Sequence, residues 1–366
     1  MAKTRWIGWV GVLLALALHA PADEVRRIRL ESGGRLTFNE WPEHSGSVEY
    51  KVQAVEDLAD EDWATLPTDI YVSGEGGYYT DIPMDVEKMF FRINLSLPVP
   101  PAPVGMVLVP GGTNTGTDPD FGAYSLTVLS FFMDQYAVTR AQWENTMLWA
   151  LDHGYQFDNP GYGREADHPV HTISWNDAVK WCNARTEQIA GDPVYYTDAG
   201  FTQVYKTGTV PEIFFKTTSR GFRLPTDVER HYAARGGAVG RRFPWADTDD
   251  IQHARANYYS VIDLPYDTSP TRDYHPDYEV EPSPFTNPGD AFAPNGYGLY
   301  DIAGNVQEWC WNWLPGSDYG SRIVRGGNWH YEASWARVGA RLGFPPNTAT
   351  SLIGFRTVRY VHPPEN

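Results

Sequence analysis

Cysteine is scarce in this chain, basic charge is outweighed by acidic charge, and no long apolar run follows the first residues. Two cysteines among 366 residues exclude a disulfide-dense scaffold and a cysteine-rich metal cluster. Lys and Arg number 29 against 46 Asp and Glu, a formal net charge of −17, so the basic footprint that nucleic acid or an anionic membrane requires is missing. The one extended apolar stretch, Trp6 to Leu18, is shorter than the roughly 20 residues of a bilayer span. What the chain has instead is aromatic and turn-forming residues: 14 Trp, 22 Tyr, 34 Gly and 28 Pro. With 42% hydrophobic and 20% charged residues the composition is that of a globular protein, long enough for two domains. The mixture favours loops pinned by large flat side chains over a helical bundle.

Lys3 and Arg5 precede the apolar stretch, and Ala20-Pro21-Ala22 supplies the small residues a signal peptidase reads. Residues 1–22 are therefore expected to be a signal peptide cleaved after Ala22. Cleavage removes two bases and no acid, so the charge becomes −17 − 2 = −19. The remaining chain is expected to be periplasmic or secreted, in an oxidising space, with no membrane span. Residues 23–97 read as short strands. Val48 to Val55 alternates with period two, and Tyr78-Tyr79 and Met89 to Ile93 carry β-favouring side chains. This segment holds 7 bases and 16 acids, 7 − 16 = −9. It is expected to be a small all-β sandwich similar to a fibronectin type III module, with Trp41 and Trp63 in its core. The acidic run Asp57 to Asp62 reads as a solvated loop. Residues 98–104, rich in proline, read as a stiff linker to a second domain over 105–362.

The second domain opens at Met106 to Gly112, a strand running into a turn. Three capping boxes then announce helices, each a hydroxyl with an acid or amide three residues on: Thr139 with Gln142, Ser174 with Asp177, and Thr226 with Glu229. The helix after Ser174 is expected to bury Trp175, Ala178, Val179 and Cys182. Beyond residue 236, Gly, Pro, Asn and Trp dominate with few periodic runs. So much irregular backbone still has to satisfy its N–H and C=O groups. Side-chain hydrogen bonds, aromatic packing or bound ions must hold it.

Ordered blocks over 106–360 resemble the formylglycine-generating enzyme family, also called sulfatase-modifying factors. They include Met106-Val107-Leu108-Val109-Pro110-Gly111-Gly112, His168-Pro169-Val170 leading to Ser174-Trp175-Asn176-Asp177-Ala178, and Gly221-Phe222-Arg223-Leu224-Pro225-Thr226. Asn295-Gly296-Tyr297-Gly298-Leu299-Tyr300-Asp301-Ile302-Ala303-Gly304-Asn305-Val306, Arg325-Gly326-Gly327 and Gly354-Phe355-Arg356 complete the set. The resemblance implies an α+β, C-type lectin-like fold with little regular structure. It does not transfer the chemistry. Family enzymes oxidise a sulfatase cysteine with oxygen on copper held by two cysteines, and those positions align here with Tyr331 and Ala336. Neither supplies the thiolate that selects Cu(I), and a tryptophan beside that site is replaced by Gln307. Cysteine-dependent formylglycine generation on copper is therefore not expected. Related sulfoxide synthases carry a His-x3-His-x-Glu motif, absent from the ten histidines here. A pyoverdine-maturation branch offers a parallel without the cysteine pair. His168 and His171 read as structural turn residues rather than metal ligands.

Calcium is the cofactor the resemblance implies. Carried over residue by residue, one site would use Asp301 and Glu308 side chains with the carbonyls of Gly304 and Val306. A second would begin at Asn257 and Tyr258, its acid left open among Asp267, Asp273 and Asp277. Cys182 and Cys310 are left open between one disulfide and two buried thiols. A recognition surface is expected from Gln307, Asn328, Trp329, Tyr331, Glu332, Trp335 and Arg341, because aromatic rings with a few directed polar groups suit a protein, peptide or carbohydrate ligand. The first reading is thus an exported, calcium-stabilised binding protein. The second is an oxidoreductase of the same family, formylglycine-generating-like or pyoverdine-maturation-like, acting on a protein or peptide through other residues. A third is an extracellular structural module.

Overall fold

The computed structural model describes residues 99–317 and 320–362, and within 29–96 the backbone of seven strands. The chain divides into two compact units between Pro100 and Pro101. The expected signal peptide and both Trp41 and Trp63 lie outside the described residues.

In the first unit the strands are β1 (Arg29–Leu30), β2 (Arg35–Phe38), β3 (Glu49–Val55), β4 (Ala64–Thr65), β5 (Tyr71–Val72), β6 (Tyr78–Asp81) and β7 (Phe90–Ser96). They form two antiparallel sheets, ordered β1-β2-β6-β5 and β4-β3-β7.

The second unit is mixed α+β. Its first strands are β8 (Met106–Val109), β9 (Gly112–Asp118), β10 (Gly122–Val128) and β11 (Phe131–Asp134). Helices α1 (Arg140–Asp152) and α2 (Trp175–Gln188) follow, then β12 (Tyr195–Tyr196), β13 (Phe214–Phe215) and α3 (Asp227–Arg235). Last come β14 (Gln307–Trp313), β15 (Arg322–Arg325), a 3-10 turn at Ala333–Trp335, β16 (Leu342–Phe344), β17 (Ile353–Gly354) and β18 (Val358–Tyr360). The main sheets run β18-β11-β8 and β16-β15-β14-β17, the last pair parallel.

All three helices begin where the capping boxes place them. Thr139, Ser174 and Thr226 each accept from the N–H three residues on, and the acid or amide there returns a bond to the cap N–H. Helix α2 buries Trp175, Ala178, Val179 and Cys182, as its spacing predicts. Its Trp181 stacks on Trp143 of α1, ring centres 6.0 Å apart and 7° from parallel. Phe355 meets both indoles edge-on at 86–88°, the offset that ring quadrupoles favour.

Buried arginines brace the irregular backbone. Arg223 forks onto Glu229 at 2.6 and 2.7 Å, and Arg235 donates to Asp118 at 2.8 Å. Arg356 donates to the carbonyls of Asp134, Gln135 and Tyr300. Arg325 donates to those of Val338, Gly339 and Ala340. Each planar guanidinium offers five N–H donors, so one side chain satisfies several carbonyls at strand ends and in loops at once. At the hub, Glu308 accepts from Arg230 Nε at 2.7 Å and from Arg356 Nε and Nη2 at 2.8–3.0 Å.

Candidate functional site

The chain leaves β15 through Gly326-Gly327 and turns sharply. Gly327 has φ +71°, and a Cβ there would stand 2.8 Å from Ala336 N and 2.9 Å from its Cα, so only glycine fits. Asn328 then organises the loop. Its Oδ1 accepts from the N–H groups of His330 and Tyr331, both at 2.9 Å, while its Nδ2 donates to Gln307 Oε1 at 3.1 Å. The loop is tied to the segment before it, because Tyr259 N–H donates to Tyr331 O at 3.0 Å and Tyr259 bridges Glu332 in parallel.

These ties assemble a cavity of about 360 Å³ lined by Tyr259, Tyr274, His330, Tyr331, Glu332 and Trp335. Tyr259 and Tyr274 meet edge-on at 78° with centres 4.9 Å apart. Tyr331 and Trp335 stand 6.4 Å apart at 51°. The rings are therefore walls, not a closed stack. Tyr274 Oη lies 2.7 Å from His330 Nδ1, and Tyr259 O–H donates to Asp273 Oδ1 at 2.7 Å. That bond, with the Asp273 charge, pushes the Tyr259 phenol above its usual range. Tyr274 is pushed up by burial and then by Glu279, Asp273 and Glu281. The surroundings are thus anionic. Glu332 is exposed, and its carboxylate makes no hydrogen bond or ion pair among the described residues.

The expected recognition residues divide. Tyr331, Glu332 and Trp335 line the cavity. Gln307 and Asn328 are buried beneath the loop as its positioning pair. Trp329 is also buried; it packs on Phe285 and Tyr274, and its Nε1 donates to Ser351 O. Arg341 is elsewhere, paired with Asp227 at 3.0 Å beside Arg325. Its expected place in the pocket is corrected, because the two guanidiniums share that carboxylate. Tyr259, Tyr274 and His330 were missing from the expectation; the aromatic pair Tyr258-Tyr259 next to the Asn257 block was the available signal. A second hollow of about 510 Å³, lined in part by Pro103, Trp181, Arg185, Phe222 and Arg359, contains none of the expected residues.

The implied calcium sets were tested against the same geometry. Glu308 has both carboxylate oxygens engaged by two guanidiniums. Burial pushes its carboxyl up, but the Arg230 and Arg356 charges and their hydrogen bonds outweigh that and hold it below the usual range. One carboxylate serving two arginines leaves a net positive charge, which repels a divalent cation. Glu308 as a calcium ligand is therefore corrected: arginines occupy the place expected of the ion. Tyr258 is corrected too, since its carbonyl oxygen is 3.1 Å from His253 Nε2 and its hydroxyl donates to Asp267. Asp267 is saturated by Tyr258, Ser260, Val261, Ser269 and Arg272, Asp273 by contrast is exposed with Tyr259 on it, and Asp277 is exposed.

Asp301 and Asn257 belong to one buried network. Asp301 Oδ2 accepts from Asn287 and Asn305 at 2.8 and 2.9 Å, and Asn287 Oδ1 accepts from Asn257 Nδ2 at 3.0 Å. In this one network Asp301 Oδ1 and Asn257 Oδ1 are buried without a hydrogen-bond partner. Burial pushes the Asp301 carboxyl up to about 7. Oxygen acceptors left bare in a buried network suit a hard cation. Gly304 and Val306 are buried in the same turn. Gly304, at φ +83°, lets Asn257 O approach to 2.4 Å from where a Cβ would stand.

Cys182 and Cys310 are free and fully buried, and burial pushes both thiols up, the environment of inert thiols rather than reactive ones. His168 Nδ1 lies 2.9 Å from Thr286 Oγ1, and His171 Nδ1 lies 2.9 Å from Thr172 Oγ1. His168 lies in a bend, whereas His171 forms an antiparallel bridge with Tyr162.

Fold and site together define an irregular α+β domain, braced by arginine, that presents an aromatic cavity on loops. The chain belongs to the sulfatase-modifying factor family: residues 97–361 match the sulfatase-modifying factor enzyme 1-like domain. The formylglycine-generating enzyme of Thermomonospora curvata is 31% identical, over 69% of this chain and 92% of that one. The chaperone protein LppX of Paenibacillus barcinonensis is 28% identical, over 69% and 89%. The inactive Cα-formylglycine-generating enzyme 2 of Bos taurus is 28% identical, over 66% and 68%. Among solved structures, CarF matches with a TM-score of 0.56 and 27% identity, covering 70% of this chain and 98% of its own.

Proposed function

We propose that this family member binds a ligand or partner through the Tyr259–Trp335 cavity and does not generate formylglycine by the cysteine-dependent route. The observation that carries the reading is the pair at the family's thiolate positions. Tyr331 lines the cavity wall, and Ala336 is buried in the apolar cluster of Phe243, Ile251 and Tyr258. Neither binds Cu(I) as a thiolate does. The kinship with a protein named as a chaperone and with one named as inactive supports a role other than catalysis. Expression with the N-terminal segment cleaved, in the periplasm or outside the cell, belongs to the same reading. So does packing of the two sheets of residues 29–96 as a fibronectin-like sandwich. Among the described residues no helix is long and apolar enough to cross a membrane.

Calcium belongs to the proposal in reduced form. Asp301 and Asn257 would hold the ion through their bare oxygens, and it would supply the positive charge that orders the Asn287–Asn305 loops. The test of function has two arms. Copper-loaded protein is incubated with oxygen and a cysteine-containing sulfatase peptide, and the peptide is read by mass spectrometry; unchanged thiol is expected. Trp335 fluorescence is then followed during a ligand screen with Trp335→Ala as control. Aldehyde formation would overturn the reading in favour of the oxidoreductase.

A further inference from the structure

The cavity has a chemical preference written into its walls. Its lining combines three tyrosines and a tryptophan with one unengaged carboxylate, Glu332, and His330, whose Nδ1 is taken up by Tyr274 Oη; it holds no Lys or Arg. Aromatic faces carry the negative lobe of the ring quadrupole, and they attract a cation within about 6 Å of the ring centre. The field around the walls has the same sign, since Asp273, Glu279 and Glu281 all act on the Tyr259 or Tyr274 phenols. The two arginines nearest in sequence are committed elsewhere, Arg272 to Asp267 and Ser260 and Arg337 to Asp120 and the Ser334 carbonyl. Tyr259 and Tyr274 touch edge to face with centres 4.9 Å apart, and Tyr331 and Trp335 are tilted at 6.4 Å, so neither pair leaves the parallel slot that a flat group requires. An acid would find no matching charge here, and a flat aromatic would find no parallel pair of faces at the Tyr331–Trp335 end.

We propose that this cavity recognises an organic cation, a quaternary or methylated ammonium group, with Tyr259, Tyr274, Tyr331 and Trp335 as the cage and Glu332 as the counter-charge. The inference rests on the binding reading above and names its ligand class. A trimethylammonium group gives up less hydration energy on entering such a site than a primary ammonium, whose three strong donors would each need an acceptor. At about 360 Å³ the cavity suits a free small molecule that carries the group; a methylated lysine on a peptide and a choline lipid headgroup share this chemistry and are outcomes of the test.

The experiment titrates the purified full chain with choline and with its neutral isostere 3,3-dimethyl-1-butanol, reading Trp335 fluorescence and heat. Choline is expected to bind roughly tenfold more tightly than the isostere. Glu332→Gln is expected to weaken choline several-fold and to leave the isostere unchanged. Trp335→Ala, at an exposed position, should weaken both without loss of fold, checked by an unchanged melting temperature. A trimethyllysine peptide and phosphatidylcholine vesicles form two further arms; binding of either identifies the carrier and supports the class. Equal binding of choline and its isostere overturns the cation preference while the binding reading stands. Absence of any signal from every cation, while other ligands of the screen still perturb Trp335, overturns it as well. Silence of Trp335 toward all ligands takes down both.

Discussion

The double-arginine clamp on Glu308 allows the sharpest test. Glu308→Gln keeps the shape of the side chain but removes its charge, leaving Arg230 and Arg356 buried, facing one another, with no anion between them. All three side chains are at most 1% exposed. Arg230 is already pushed down by burial, with Arg356 adding to the effect, so the substitution makes an existing repulsion unopposed. Breaking a buried pair from one side costs about 3–5 kcal/mol, and two cations share this anion, so the upper end is expected. For a unit of this size each kcal/mol lowers the melting temperature by roughly 2–4 °C, so the drop should be about 10–20 °C. The assay is calorimetric melting with urea titration, run with calcium and with chelator. In wild type the Glu308 contribution should be the same in both media. A loss below about 1 kcal/mol would show that the clamp contributes little. A chelator effect present in wild type and absent from Glu308→Gln would falsify the structural reading, since Glu308 would then be an ion ligand after all.

Other tests reach the rest of the molecule. His171 is buried and its pKa is lowered to about 4, and His231 to about 2 by burial and then by surrounding arginines. Both stay neutral when folded and take up a proton near pH 6.5 when unfolded, so stability should fall as pH drops below about 6.5. For His171 the slope is about 1.4 kcal/mol per pH unit until roughly pH 4; urea midpoints independent of pH between 7 and 5 would refute this. Native protein should leave Cys182 and Cys310 unmodified by a thiol reagent until urea is added, and reductant should not move the melting temperature; a shift would reveal a disulfide. Thr226→Ala should cost about 1 kcal/mol as a lost cap, or more because Thr226 also steadies Glu229 on Arg223, read by urea unfolding. Gly327→Ala should destabilise by more than the roughly 1–2 kcal/mol of a left-handed backbone, because its Cβ would also meet the Ala336 backbone, and should weaken ligand binding at Trp335 as well; an unchanged pair of values would mean the turn is not what sets the loop.

What the sequence revealed depended on distance along the chain. The three helix starts were legible because a capping box closes within three residues, and the apolar face of α2 because its period is local. The family blocks carried the fold for the rest. Glu308 was misread because its partners lie 78 and 48 residues away, and a carboxylate in a loop looks alike whether it meets calcium or arginine. Arg341 was misread for the same reason: Asp227 is 114 positions distant. Two of the six lining residues of the cavity are Tyr259 and Tyr274, the latter 56 residues from His330, and nothing in either segment alone marks it as a wall. Trp329 and Trp335, six positions apart, face opposite fates, one beneath the loop and the other in the open, because the Asn328 turn and the 3-10 segment reverse the chain between them.

The arginine braces carry one more implication. A loop fastened by guanidinium forks to its own carbonyls depends on backbone atoms, which every residue type supplies. Side chains on the outward side of such a loop are therefore free to change without disturbing what anchors it. Domains built in this manner can trade one recognition chemistry for another by altering a handful of surface positions, while the tryptophan interior and the charged struts beneath stay as they are.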